Sequence, residues 1–160
     1  MAFGTACILI ATLHLASSPF KAAPQSATAM AIDLSEQLAA GKLRAVNRDV
    51  VALKGDRRGV HVSEKEGPGV VWVEGTSFTN GTIEVDVRGR DVAQQSFLGV
   101  AFHRQDDNTY ESVYLRPFNF RATDPERHQH AVQYMAVPDY DWPRLRKEFP
   151  NEFERPVDAS

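Results

Sequence analysis

The stretch from Thr82 to Phe118 reads TIEVDVRGRDVAQQSFLGVAFHRQDDNTYESVYLRPF, and three segments of it alternate apolar with polar side chains. Successive side chains on a strand point to opposite faces of the sheet, so this alternation predicts strands with one buried and one exposed face. We therefore predict a meander of three consecutive antiparallel strands. The alternate residues on one face of these strands, which we call one parity, form the predicted core: Ile83, Val85, Val87, Leu98, Val100, Phe102, Val113 and Leu115.

The opposite parity forms the outer face of this meander, which differs from an ordinary solvent-facing surface. It combines the small residues Gly99 and Ala101 with carboxylates, arginines, tyrosines and a histidine. A few convergent polar groups beside an aromatic ring are typical of a shallow site for a polar ligand. The residues predicted to bind a ligand there are Glu84, Asp86, Arg88, His103, Tyr114, Arg116 and Gln133, with Asn119 at the rim.

Further short strands and two short helices are predicted around the meander. Asp33 is a capping residue type before a helix that Gly41 ends, and residues 141–149 carry apolar side chains at helical spacing. Many short strands separated by turn sequences predict an all-β sandwich or barrel. The additional strands are predicted at residues 50–54, 59–63, 70–74 and 131–137.

The composition is that of one globular domain. The chain has 160 residues, of which 42% are hydrophobic and 24% charged, and its formal net charge is -3. Its lysines and arginines form no sustained run of the kind that follows a phosphate backbone. Nucleic acid is therefore not an expected partner.

Residues 1–31 are predicted to be a secretory signal peptide, and residues 32–160 to form the folded domain. An apolar stretch too short to span a bilayer is followed by small-x-small sites that suit a signal peptidase. No Lys or Arg precedes that stretch and His14 interrupts it, so a disordered or mis-assigned extension is the alternative. We expect a secreted or periplasmic protein that does not insert into a membrane after the signal is removed. The single cysteine, Cys7, lies in this segment, so no disulfide is expected in the domain.

Three motifs resemble the concanavalin A-like lectin/glucanase superfamily: FTNGTIEVDV at 78–87, SFLGVAFH at 96–103 and YLRPFNF at 114–120. The segment Val132-Gln133-Tyr134 follows them. More narrowly, the chain is similar to secreted bacterial laminin-G-like jelly-roll domains, some of which are grouped with 3-keto-disaccharide hydrolases.

This resemblance covers roughly Val50 to Phe153. It implies a two-sheet antiparallel jelly-roll sandwich with a saccharide bound on or near the concave face. The family pattern continues with further strands past Pro156, whereas this chain stops at Ser160. We therefore expect the jelly roll to be incomplete at its C-terminal end.

Three functions are consistent with these features. We expect the polar face to bind a saccharide or glycan; the alternatives are a glycoside-cleaving or 3-keto-glycoside-processing hydrolase and a protein-binding adhesive module. Glu84 and Asp86 share one strand face, as in laminarinase-type glycosidases. A retaining glycosidase needs two carboxyl groups about 5 Å apart, and Arg88 stands where a second glutamate is needed. No catalytic residue is therefore assigned.

No cofactor is expected and no metal ligand is assigned. His128 and His130 would place two imidazoles on one side of an extended segment, but no cysteine or strong carboxylate cluster accompanies them. The run Asp106-Asp107-Asn108 offers oxygen ligands for calcium, which members of this superfamily often bind. The same residues are typical of a hairpin turn.

Overall fold

The computed structural model describes residues 29–55, 58–77 and 79–158. The chain divides into two units, Met1–Met30 and Ala31–Ser160, and the helices and strands of the described residues lie in the second. The predicted signal peptide lies almost entirely outside the described residues. Among the residues that are described, no helix has the length and hydropathy needed to cross a bilayer.

Short strands in antiparallel sheets make up most of the regular structure. The strands are β1 (Leu43–Val46), β2 (Val50–Ala52), β3 (Val60–Val62), β4 (Val70–Val73), β5 (Leu98–Phe102), β6 (Tyr110–Leu115), β7 (Val132–Val137) and β8 (Glu154–Arg155). The helices are α1 (Leu34–Ala39), α2 (Pro125–Gln129) and α3 (Trp142–Glu148), and a 3-10 turn spans Pro117–Asn119. This composition is consistent with the predicted all-β class.

The strands form one four-stranded sheet and two pairs. The large sheet has the order β5-β6-β7-β8, while β1 pairs with β4 and β2 pairs with β3. Val100 lies opposite Val113, and Val113 lies opposite Tyr134 on the next strand. The predicted antiparallel pairing of the second and third meander strands is thus confirmed, and β7 and β8 extend the same sheet.

The predicted first strand of the meander, residues 82–88, is wrong. Residues 81–92 have no regular secondary structure, and Ile83, Val85 and Val87 are 46%, 47% and 42% exposed. A strand needs a neighbour to accept and donate its backbone hydrogen bonds. In the described ranges, no backbone hydrogen bond joins residues 81–91 to another segment.

The prediction of a single apolar core is also wrong for Val113, which is 37% exposed. Leu98, Val100, Phe102 and Leu115 are only half-buried. The face of the large sheet that carries the polar residues Tyr114, Arg116 and Gln133 is the more buried one. Helix α3 lies against β7, and Arg146 on α3 bonds to Glu154 on this face. The described side chains buried most deeply are the apolar Trp72, Phe118, Ala131 and Leu145 and the polar Ser96, Ser112, Arg116, Asn119, Gln133 and Glu154.

An aspartate caps the N-terminus of each of the three described α-helices. The carboxylates of Asp33, Asp124 and Asp141 accept hydrogen bonds from backbone N–H groups of the first helical turn. The helices predicted near residues 33–41 and 141–149 are confirmed. Helix α2 was not predicted, and it places His128 on a helix, so the extended conformation expected for His128 and His130 is wrong.

Close approach of β5 and β6 makes Gly99 necessary. A methyl group on Gly99 would lie 2.0 Å from the carbonyl oxygen of Val113 and 2.5 Å from the Cα atom of Tyr114. We predict that Gly99→Ala forces the two strands apart and lowers the free energy of unfolding by about 1–3 kcal/mol. Urea denaturation measures this loss. An unchanged denaturation midpoint would show that the two strands are not held this close in solution.

Candidate functional site

A group of polar side chains meets on the more buried face of the large sheet. Tyr114 lies opposite Gln133, and Gln133 lies opposite Glu154, so three neighbouring strands each contribute one residue at the same level. Residues directly opposite each other in an antiparallel sheet project from the same face and interact. This group, the polar cluster, comprises Tyr114, Arg116, His130, Gln133, Arg146 and Glu154.

Arg116 lies at the centre of the polar cluster and is 6% exposed. Its Nη1 donates to the carbonyl oxygen of His130 at 2.9 Å and to Glu154 Oε1 at 3.2 Å. Its Nη2 donates to the Tyr114 hydroxyl at 2.8 Å and to Gln133 Oε1 at 3.3 Å. These bonds use most of the N–H donors of the guanidinium. Arg116 therefore holds its neighbours in place.

Glu154 is 2% exposed and is surrounded by cationic groups. Arg146 donates to both of its carboxylate oxygens, with Nε 3.0 Å from Oε2. The Nδ1 atom of His130 lies 2.8 Å from Oε2 but outside hydrogen-bonding geometry. Burial acts to raise the pKa of Glu154, but Arg146, His130 and Arg116 outweigh it and lower that pKa. Glu154 is therefore a carboxylate at neutral pH and has no proton to donate.

Phe97 is an exposed aromatic ring beside the polar cluster, where it contacts the half-buried Tyr114. Phe97 is 52% exposed, and its ring meets that of Tyr114 edge-on at 6.1 Å and that of Phe118 at 5.5 Å. The Tyr114 oxygen accepts a hydrogen bond from Arg116, which leaves the hydroxyl proton available to donate. Burial raises the pKa of Tyr114, so the hydroxyl stays neutral.

The structure brings together four of the eight residues predicted to bind a ligand. Tyr114, Arg116 and Gln133 are in direct contact, and Asn119 donates to the same His130 carbonyl oxygen as Arg116, at 3.1 Å. The other four are Glu84, Asp86, Arg88 and His103. No hydrogen bond or ion pair in the described ranges joins them to the polar cluster.

Several residues of the site were not predicted as site residues. Phe97 shares the parity of Gly99 and Ala101, so the alternation contained a signal for it. Glu154 and Arg146 had no such signal, because Glu154 joins the cluster through Arg116, which is 38 residues away in the sequence.

His103 belongs to a second polar group. Its Nδ1 lies 2.9 Å from Glu111 Oε1, and the Tyr134 hydroxyl donates to Glu111 Oε2 at 2.9 Å. The bonds from His103 and Tyr134 lower the pKa of Glu111, while burial and Glu111 raise the pKa of Tyr134 to about 12. An imidazole oriented by a carboxylate is suited to general-base chemistry. No nucleophile in the described part of the chain is hydrogen-bonded to it.

The segments considered as metal sites have other contacts. Asp106 accepts hydrogen bonds from the Asn108 backbone at 2.7 Å and from the Thr109 hydroxyl at 3.1 Å, which is a turn geometry. Asp107 is paired with Arg44, which lowers the pKa of Asp107. Among the residues that the structure describes, no three His, Cys, Asp or Glu side chains are grouped to hold a metal ion.

Comparisons with known proteins found no relative from which a function could be inferred. No family model matches the chain, and no match was found to a curated protein or to a solved structure. What the chain does is therefore argued from the polar cluster and the aromatic rings beside it.

The charge on Glu154 predicts a pH-dependent stability. Its pKa is lowered on folding, so its contribution is present above the ordinary glutamate value and is lost as the pH falls through the folded-state pKa. At neutral pH we expect Glu154→Gln to lower the free energy of unfolding by on the order of 3 kcal/mol, because it leaves buried Arg116 uncompensated. The difference from the wild type should shrink as the solution is acidified.

Urea denaturation from neutral to acidic pH measures this effect, with Glu126→Gln as the control. Glu126 is exposed and lies 4.0 Å from His130, so its loss should change the stability little at any pH. A Glu154→Gln deficit that stays constant with pH would contradict a role for the Glu154 charge.

Proposed function

We propose that this protein binds a saccharide on the polar face of its four-stranded sheet, as an exported jelly-roll domain of the concanavalin A-like type. The observation that carries the proposal is the pairing of an exposed aromatic ring, Phe97, with a tyrosine hydroxyl that Arg116 has already oriented. The exported location and the jelly-roll topology rest on the sequence features and on the family resemblance.

The chemistry of a pyranose ring matches this arrangement. One face of the ring carries C–H groups and stacks on an aromatic side chain, while its hydroxyls need donors and acceptors. Phe97 offers the stacking surface, and contacts with Tyr114 and Phe118 hold its ring in position. The Tyr114 proton is directed to a sugar oxygen.

Within this proposal, the buried members of the polar cluster act through Tyr114. Arg116 and Gln133 are 6% and 0% exposed, and they bond to each other and to their neighbours. We assign them a positioning role, because a ligand on the surface meets Tyr114 and Phe97 before it meets either of them. Asn119, which is 5% exposed, supports the same loop through the His130 carbonyl oxygen.

Binding is favoured over hydrolysis by the protonation states. The general acid of a glycosidase needs a carboxyl group with a raised pKa. Each carboxyl group with a shifted pKa in the described ranges is shifted downward by hydrogen bonds or cations: Asp33, Asp107, Glu111 and Glu154. None of these four groups is therefore suited to protonate a glycosidic oxygen at neutral pH.

A glycan array probed with the full chain, followed by titration of the hits, tests the proposal. Phe97→Ala should weaken binding about fivefold or more through loss of the stacking surface. Tyr114→Phe should weaken it about three- to tenfold through loss of one hydrogen bond. Tyr140→Ala removes an exposed aromatic ring outside the polar cluster and serves as the control.

Circular dichroism and urea denaturation establish that each variant is folded before its affinity is compared. Glycan hits whose affinity is unchanged in both Phe97→Ala and Tyr114→Phe would locate the site elsewhere. An array without any retained glycan would contradict saccharide binding itself.

A further inference from the structure

The segment from Thr82 to Arg90 has the alternation of a strand but no strand partner in the described part of the chain. Ile83, Val85 and Val87 are 46%, 47% and 42% exposed, which is unusual for three apolar side chains at alternate positions. Backbone groups of such a segment are free to pair with another extended chain. The C-terminal end of the segment is attached to the described fold, since the Arg90 N–H donates to the Ser96 hydroxyl at 3.0 Å and Gly89 lies close against Leu98 and Ser96.

The charges of this segment are arranged symmetrically with opposite sign about Val87. Two carboxylates, Glu84 and Asp86, precede it at alternate positions, and two guanidinium groups, Arg88 and Arg90, follow it at the same spacing. All four side chains project from one face of an extended chain, because they share parity.

Antiparallel pairing of two copies about an axis at Val87 matches every charge. Glu84 of one copy then lies opposite Arg90 of the other, and Asp86 lies opposite Arg88. The two-fold axis repeats both pairs, so four carboxylates face four guanidinium groups. Opposite charges directly across an antiparallel pair stabilise it.

Neighbouring registers lose this match. An axis at Val85 places Glu84 opposite Asp86, and an axis at Asp86 places the two Asp86 carboxylates side by side. An axis placed between two neighbouring residues pairs each charged position with an apolar position of the other copy, because the two positions then have opposite parity. The charge sequence therefore selects both the antiparallel direction and the register at Val87.

We propose that residues 84–90 pair with the same residues of a second copy of this chain, which makes the protein a homodimer. On the face opposite the charges, Val87 meets Val87 and Val85 lies opposite Gly89, while Ile83 lies just outside the paired residues. In the single chain Arg90 pairs with Glu64, but both side chains are largely exposed, so giving up that contact costs little. The role of Glu84, Asp86 and Arg88 is then self-association. This proposal is independent of saccharide binding, because Phe97 and Tyr114 lie outside the segment.

The dimer should be reversible and sensitive to salt. A two-stranded ribbon is only marginally stable, and exposed ion pairs are screened at high ionic strength. Sedimentation equilibrium of the full chain over a concentration series should therefore show a monomer–dimer equilibrium that shifts toward monomer when salt is added.

Two complementary charge-reversed variants give the decisive test. Glu84→Lys/Asp86→Lys makes the segment entirely cationic, and Arg88→Glu/Arg90→Glu makes it entirely anionic. Each variant alone should raise the dissociation constant about tenfold or more, because four attractions become four repulsions. An equimolar mixture of the two should form a heterodimer, since every opposed pair is again complementary.

The variant Glu126→Lys/Glu152→Lys is the control for the cationic variant, because it changes the net charge by the same amount and sign at exposed positions outside the segment. It should dimerise like the wild type. A wild-type chain that stays monomeric at every concentration would overturn the proposal, as would a mixture of the complementary variants that fails to associate. Dimerisation unaffected by either double reversal would place the interface on another surface and equally reject this one.

Discussion

The carboxylate of Glu154, buried between Arg116 and Arg146, is the contact on which the polar face depends. Arg116 follows β6, Arg146 lies on α3 and Glu154 lies on β8, so one anion connects three elements, and Arg116 is 38 residues from Glu154 in the sequence. Arg116 also bonds to the carbonyl oxygen of His130, at the end of α2. A buried ion pair adds little net stability compared with apolar packing, but the loss of one partner is costly. These segments are therefore expected to form their contacts together.

Elements with a local sequence signal could be predicted, whereas elements positioned by the contacts of Glu154 could not. Strands β5, β6 and β7 and helices α1 and α3 carry local signals in their alternation, spacing and capping residues, and they were predicted. The two-residue strand β8 carries no local signal, and it is positioned by the contacts of Glu154. Helix α2 had a signal that was overlooked, because Asp124 followed by Pro125 is a common start of a helix.

The alternation identified which side chains share a face but not which face becomes buried. Tyr114, Arg116 and Gln133 were correctly grouped, yet they were expected on an open surface, because polar residues are normally assigned to solvent. Burial of that face required partners for the polar groups, and these came from α3 and β8. The same reasoning failed in the other direction for Ile83, Val85 and Val87. Their pattern indicates a segment able to pair, but a pattern in one strand does not specify the neighbour.

The division between a buried charged interior and an exposed aromatic rim has consequences for binding. At the proposed saccharide site, Phe118 and Arg116 already set the orientation of Phe97 and Tyr114, so we expect little side-chain entropy to be lost on binding. Because Glu154 is compensated by cations within the cluster, its charge is not available to a ligand at the rim. In the proposed site, the half-buried Tyr114 offers a neutral hydroxyl and Phe97 an apolar ring, a combination that we expect to favour an uncharged, hydroxyl-rich ligand over an ionic one.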